Sequence, residues 1–403
     1  VSVRRIRGGI TAPIGFAAAS ARAGLRSGPG RDLALVVATT GAASAAATFT
    51  RNRVRAAPVA LSMQALRTSG GRAAAVIVNA GCANAATGAG GLDDARAVRQ
   101  MIASRMRVPE RHVLTASTGL IGSRLDVTKI ANALPELRPT TALRAGTEAA
   151  RAIMTTDTRP KEAAVEVDLG RGPGIRIGGM AKGSGMIHPQ MGTMLAFLST
   201  DAAVAPALLR EVLRDVVDET FNAVTVDGDP STNDTVVVLG NGASGRPPLT
   251  RGQAGAFRSG LRAVCRSLVE QIAADGEGAR HRIDVTVSGA GDDREARTVA
   301  RAIASSSLVK TAVHGADPNW GRIVAAAGRS GIRLDPETLV VRIGAVVVYA
   351  GGVSAFDERS ARQAMRRKVV EIGLDLGSGP GLGMAWGCDL TAEYVAINSE
   401  YRT

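Results

Sequence analysis

The segment 178–195, GGMAKGSGMIHPQMGTML, combines residue types that could do chemistry together. Glycines at 178, 179, 183, 185 and 192 interrupt an apolar stretch, so neither a helix nor a strand accounts for it, and a glycine-rich loop is the plain alternative. Thr193 stands near its end. Threonine is a weak nucleophile unless a base sits beside it, and an N-terminal α-amine can be that base. With a pKa of about 7.7–8.0, such an amine keeps a useful neutral fraction at physiological pH. Freeing it requires cutting the Gly192–Thr193 bond. The threonine hydroxyl can do this by attacking the preceding carbonyl, giving an ester that water opens. Gly192 has no Cβ to crowd that attack.

Two other stretches could serve such a nucleophile. Leu114–Gly122 (LTASTGLIG) runs like a strand into a Ser-Thr-Gly turn, where the Thr118 hydroxyl and the Gly119 N–H could face a developing oxyanion. Ser/Thr/Gly turns are common, so a plain turn is the competing reading. Asp275–Arg280 (DGEGAR) offers Glu277 as a carboxylate for a substrate ammonium, or else is an ordinary turn. It lacks calcium-loop spacing, and the four histidines (112, 188, 281 and 314) show no H-x-x-x-H pair, so no metal site is expected. His188 is a weaker candidate base, because Pro189 turns the chain away. His314 reads as part of a turn.

These residues need elements to hold them. Leu33–Ala38 and Ala74–Val78 are continuous apolar runs typical of buried strands, and residues 164–169 alternate as a half-buried one. Thr235–Leu239 and Ile283–Val287 also read as strands. After Asp201 as N-cap, Val204, Leu208, Leu209, Val212, Leu213, Val216 and Val217 recur at helical spacing. The run 263–274 reads as a helix, and 361–372 as one with a basic face. Strands and helices mix without a regular βαβ alternation, which predicts α/β layers. Neither GxGxxG after a strand nor GxxxxGK[ST] occurs, so no nucleotide-binding loop is indicated.

Composition narrows the function further. The net charge is +13, but the basic residues are dispersed and aromatics are only 3%, too few for base-stacking platforms. Nucleic acid is therefore not expected as a partner, and an acidic small molecule suits the charge better. Lysine is scarce, occurring at 129, 161, 182, 310 and 368 only. The absence of a run of about 18 uncharged apolar residues argues against a membrane span. Residues 1–9 are basic without a following apolar region, so a secretory signal is not expected and the cytoplasm is the expected compartment. Cys82, Cys265 and Cys388 form no CxxC pair, and a disulfide framework is not expected.

Lys182–Ile187 followed by Met191–Leu195 resembles the self-cleavage motif of the bifunctional ornithine acetyltransferase/glutamate N-acetyltransferase family of arginine biosynthesis. Other matching motifs run in order along nearly the whole chain: GITAP at 9–13, TGLIG at 118–122, MTTDT at 154–158 and VDGD at 226–229. They continue with STNDT at 231–235, DGEG at 275–278, DPNWGR at 317–322, GCDL at 387–390 and NSEY at 398–401. The resemblance implies a two-lobed α/β fold, cut into an α chain (1–192) and a β chain (193–403) that stay together as α2β2. It implies ping-pong acetyl transfer from N-acetylornithine to glutamate through an acetyl-threonine. It also implies Thr193 as nucleophile, Thr118 and Gly119 as the oxyanion hole, and Thr156, Lys182, Glu277, Asn398 and Thr403 as substrate-binding positions. No cofactor is expected, and acetyl-CoA stays open as a secondary acetyl donor. Gly192 stands where the family usually has alanine, and Arg280-His281 replace its usual residues after Glu277, where they would reshape the side-chain pocket. Two other readings fit the same nucleophile: a paralogue acting on another N-acyl amino acid, and an amidase or aminopeptidase in which water accepts the acyl group.

Overall fold

The structure, a computed structural model, describes residues 2–170, 172–188, 194–352 and 355–400. The continuous apolar runs form buried strands, as their lack of a polar face requires. Leu33–Ala38 lies between Phe16–Ala21 and Ala75–Cys82, and Ala75–Cys82 pairs in parallel with Val113–Leu120, completing a four-stranded sheet. A seven-stranded sheet runs, in spatial order, Val3–Arg5, Lys161–Val167, Ile175–Lys182, Leu195–Thr200, Thr235–Gly240, Ala43–Phe49 and Arg72–Ala73. One face of each sheet contributes to a shared core, in which Phe16, Val36, Val78 and Leu114 meet Met180, Phe197, Val237 and Leu239. Helices cover the opposite faces. Gly88–Met106 and Val127–Ala133 pack on the smaller sheet, and Pro206–Glu219 and Ala254–Ala273 on the larger. The last helix does so with Phe257, Leu261, Val264, Leu268 and Ile272, a stripe at helical spacing.

A second lobe holds the third sheet, ordered Val346–Ala350, Val340–Ile343, Val369–Asp375, Arg282–Ala290 and Gly381–Cys388. Its core is apolar, with Ile283, Val285, Val299, Ile303, Val341, Ile372 and Leu374 fully or nearly fully buried.

Three local expectations are corrected. Asp201 caps no helix: Pro206 opens that helix, and the Asp201 carboxylate accepts the backbone N–H groups of Arg176 at 2.7 Å and Ile14 at 3.1 Å. Fixing the start of the strand Ile175–Lys182 and the turn that leads into Phe16–Ala21 outcompetes a cap. Residues 361–372 are not one helix. The helix is Glu358–Met365, capped by Asp357, and Val369–Asp375 is a strand in parallel register with Arg282–Ala290. Its buried Val370, Ile372 and Leu374 have the two-residue period of a strand. Finally, Gly178 and Gly179 lie inside the strand Ile175–Lys182 and not in a loop. They are small because a Cβ at 178 would overlap the Gly9 carbonyl oxygen, and one at 179 would press on Leu198.

Candidate functional site

The four-stranded and seven-stranded sheets bring Thr118 and Lys182 to one place, where Glu277 joins them. Thr118 and Gly119 end the strand Val113–Leu120, and Lys182 ends the strand Ile175–Lys182. Glu277 sits on the turn after the helix Ala254–Ala273, and Asn398 on the helix Ala392–Glu400. Together with Thr156 they line a cavity of about 370 Å³. Six of the residues named from the sequence therefore converge. Gly192, Thr193 and Thr403 lie outside the described residues. Met194, immediately after Thr193, is fully buried and precedes Leu195, whose register partner in the neighbouring strand is Lys182.

Gly119 has φ +125°, a conformation that L side chains rarely adopt, and a Cβ there would overlap the Gly81 backbone. This glycine lets two parallel strand ends close up. Asn233 locks the same corner, its amide donating to the carbonyls of Ala83 at 2.7 Å and Ser117 at 2.8 Å.

The Lys182 ammonium is 2% exposed as a residue and donates to the Thr155 hydroxyl at 2.6 Å and the Thr118 hydroxyl at 3.4 Å. Burial pushes its pKa below the ordinary lysine value, with Asp157, 3.8 Å away, opposing that shift. Asp157 feels burial most strongly, but Lys182, Lys161 and the Gly183 N–H outweigh it and bring its carboxyl down to about 2. Lys161, with no solvent exposure, donates to Asp157 and to Asp275 at 2.6 Å each. Asp275 also accepts the Thr158 N–H at 3.1 Å and the Thr158 hydroxyl. This closed set of charges ties the Lys182 wall to the turn carrying Glu277. Such fully paired buried ions resist displacement, because breaking one leaves an uncompensated charge.

Glu277 presents its carboxylate to the cavity over Gly185, where any Cβ would overlap it. Asn398 donates to its Oε2 at 2.9 Å. The site thus holds a carboxylate able to receive an ammonium, and a cation beside a hydroxyl and a glycine-bearing strand end.

Arg280 and His281 do not line this cavity. Their backbone N–H groups both bind Asp389 at 2.8 Å, and the His281 ring meets the Arg367 carbonyl at 2.7 Å. The expected reshaping of the pocket by these two residues is corrected: the Asp389 turn draws them away. His188 lines a separate cleft with Arg51, Arg301 and Arg329. Sequence reasoning missed the structural parts played by Thr155, Lys161 and Asp157. The scarcity of lysine was the available signal for Lys161, and MTTDT contained the other two.

Residues 17–403 match the model of the family described as "ArgJ family". The chain is 50% identical to the arginine biosynthesis bifunctional protein ArgJ of Thermus thermophilus, covering 97% of this chain and 99% of that one. It is 47% identical to the protein of the same name from Thermosynechococcus vestitus, over 99% of each chain. Among solved structures, the arginine biosynthesis bifunctional protein from Bacillus halodurans is 44% identical, with a TM-score of 0.50. That match covers 51% of this chain and 98% of the other. The convergent cavity, the ordered motifs and these full-length likenesses agree: the chain belongs to the ArgJ family of bifunctional enzymes of arginine biosynthesis.

Proposed function

We propose that the cavity moves acetyl from N-acetylornithine to glutamate through an acetyl-threonine on Thr193, after the chain cuts itself between Gly192 and Thr193. The observation that carries this reading is the convergence of Thr118, Gly119, Thr156, Lys182, Glu277 and Asn398 on one cavity, with Met194 entering the strand beside Lys182.

In this reading the freed α-amine takes the Thr193 hydroxyl proton as the oxygen attacks the acetyl carbon. The Thr118 hydroxyl and Gly119 N–H receive the oxyanion, while Lys182 polarises Thr118 from 3.4 Å. The α-ammonium returns its proton to the departing ornithine amine. Glutamate's amine then attacks the acetyl ester, and the same groups work in reverse. Glu277, steadied by Asn398, pairs with a substrate ammonium, and Thr156 and Thr403 complete the binding set. No cofactor is needed for these steps, and acetyl-CoA would acylate the same threonine.

Cutting would give chains of 192 and 403 − 192 = 211 residues. Their continued association is supported by the seven-stranded sheet, in which Leu195–Thr200 and Thr235–Gly240 lie between strands from the first half. The half-length match to the Bacillus halodurans chain is what a chain cut near its middle would give. We place two such pairs in an α2β2 assembly of the cytoplasm; no helix among the described residues is long and apolar enough to cross a membrane.

Intact mass spectrometry after incubation with N-acetylornithine tests the reading. Two chains are expected, with an acetyl adduct on the 193–403 chain, and Thr193→Ala should stay whole and inactive. Scission in Thr193→Ala, or an adduct on the other chain, would refute it. Release of acetate without dependence on an amine acceptor would instead favour an amidase.

A further inference from the structure

The cleft that holds His188 supplies no group to the steps above, yet it gathers positive charge. It has a volume of about 690 Å³ and lies between the two lobes. Its second-lobe wall is one face of the helix Asp293–Ala304 with the residue that follows. Arg294, Thr298, Arg301 and Ser305 recur there at steps of four, three and four, so two guanidiniums and two hydroxyls share a line. Arg329, just beyond the helix Trp320–Gly328, donates to the Ala302 carbonyl at 3.1 Å and the Ser305 hydroxyl at 3.3 Å. Those bonds cover a carbonyl at the negative end of the helix and fix Arg329 beside the line. Arg51, which follows the strand Ala43–Phe49, lines the cleft from the first lobe.

The charges in this cleft are not balanced. Among the described residues, none of Arg51, Arg294, Arg301 and Arg329 forms an ion pair with a carboxylate, and Asp218 in the lining is paired instead with Arg297 at 3.3 Å. Arg301 gives one N–H to the Asn222 carbonyl at 3.3 Å. Burial disfavours the Arg301 cation most; Asp218 opposes that, while Arg297 and Arg294 reinforce it. Burial also holds the His188 ring below the ordinary imidazole value, with Asp229 opposing and Arg301 and Arg329 adding to the shift. Cations that disfavour one another in a concave setting create a field that an anion relieves.

The lining selects the kind of anion. Arg294 and Arg301 are seven residues apart, about 10 Å along the helix axis, which suits an extended ligand with several anionic groups. Guanidinium forks match phosphate oxygens two at a time, and the hydroxyls between them add donors. No aromatic side chain among the described residues lines the cleft, so a base would find no stacking partner. We propose that this cleft binds a short phosphate chain, free or carried by a nucleotide, along Arg294, Arg301 and Arg329 with Arg51 facing it from the other lobe.

Calorimetric titration of the purified full chain with inorganic triphosphate at low ionic strength tests this. Saturable binding at one site per chain is expected, weakening as salt is added. Arg294 and Arg51 are exposed, and each can be replaced without stranding a buried partner. Arg294→Gln and Arg51→Gln should each weaken binding about tenfold, the loss expected of one charge-assisted contact. Arg362→Gln, an exposed arginine on the helix Glu358–Met365, should bind as wild type. ATP and citrate supply the comparison arms. Equal binding of triphosphate and ATP supports a site that reads the chain whatever it is attached to, and binding of triphosphate alone supports the free chain as ligand. Absence of saturable binding, or unchanged affinity in both Arg294→Gln and Arg51→Gln, overturns the proposal. ATP binding without triphosphate binding, or citrate binding as tightly as triphosphate, overturns it as well.

Discussion

Lys182 and Lys310 are both buried, at 2% and 3% exposure, but they do opposite things. Lys310 rises from the helix Ser307–His314 in the second lobe and donates to the Cys388 carbonyl, with the Cys388 sulfur 3.6 Å away. Its ammonium closes the end of the strand Gly381–Cys388 beside an apolar core. Lys182 instead points to two hydroxyls, Thr155 and Thr118, on the wall of a cavity, with Asp157 and Lys161 behind it. Burial of a lysine therefore does not mark a site. What the ammonium faces does: a backbone carbonyl ends the story, whereas hydroxyls on a cavity wall leave room for chemistry.

The largest effect should come from the charges behind Lys182. Lys161→Met strands two buried carboxylates and should cost about 3–5 kcal/mol in denaturant unfolding. A depressed carboxyl such as Asp157 contributes stability that is full above its unfolded pKa and is lost as pH falls through about 2. Without Lys161 its folded pKa rises, so acid unfolding should begin at higher pH. A loss under about 1 kcal/mol would show that the network is not what holds the cavity wall.

Next comes Thr118→Ala, expected to lower kcat on the order of 10²–10³-fold on the proposed oxyanion role, with a much smaller change in KM. A raised KM at unchanged kcat would make Thr118 a ground-state contact. Lys310→Met sharpens the contrast from the other side. It should lose about 1–3 kcal/mol of stability, from the unmatched Cys388 carbonyl, while kcat and KM of the folded protein stay at wild-type values. Altered kinetics there would join the two lysines functionally. The smallest effect belongs to the exposed Arg362–Glu358 pair at 2.8 Å, four residues apart on one helix. Arg362→Ala should change the unfolding free energy by less than about 0.5 kcal/mol, and more than 1 would contradict its surface character.

Much of this was legible before the fold. Apolar runs announced the strands Leu33–Ala38 and Thr235–Gly240, because a strand buried on both faces has no polar positions to alternate. Thr118, Lys182 and Glu277 stood out by residue type and by glycine neighbours, since close backbone approach needs glycine whatever the partner. Ordered motifs along the chain carried Thr156 and Asn398 into the same set.

The sequence by itself determined the family, the strands that lack a polar face and the six residues now found around one cavity. Tertiary structure decided the rest. Asp201 ties the start of a strand to the turn before another where local signals suggested a helix cap, and Val369–Asp375 is a strand because a parallel partner some 87 residues earlier accepts it. Arg280 and His281 turn to Asp389 and leave the pocket. Lys161 meets Asp275 across 114 residues of chain. The reason is common to all four: local propensity reads a few neighbouring residues, whereas buried polar groups take whichever partner the packed chain brings within about 3 Å.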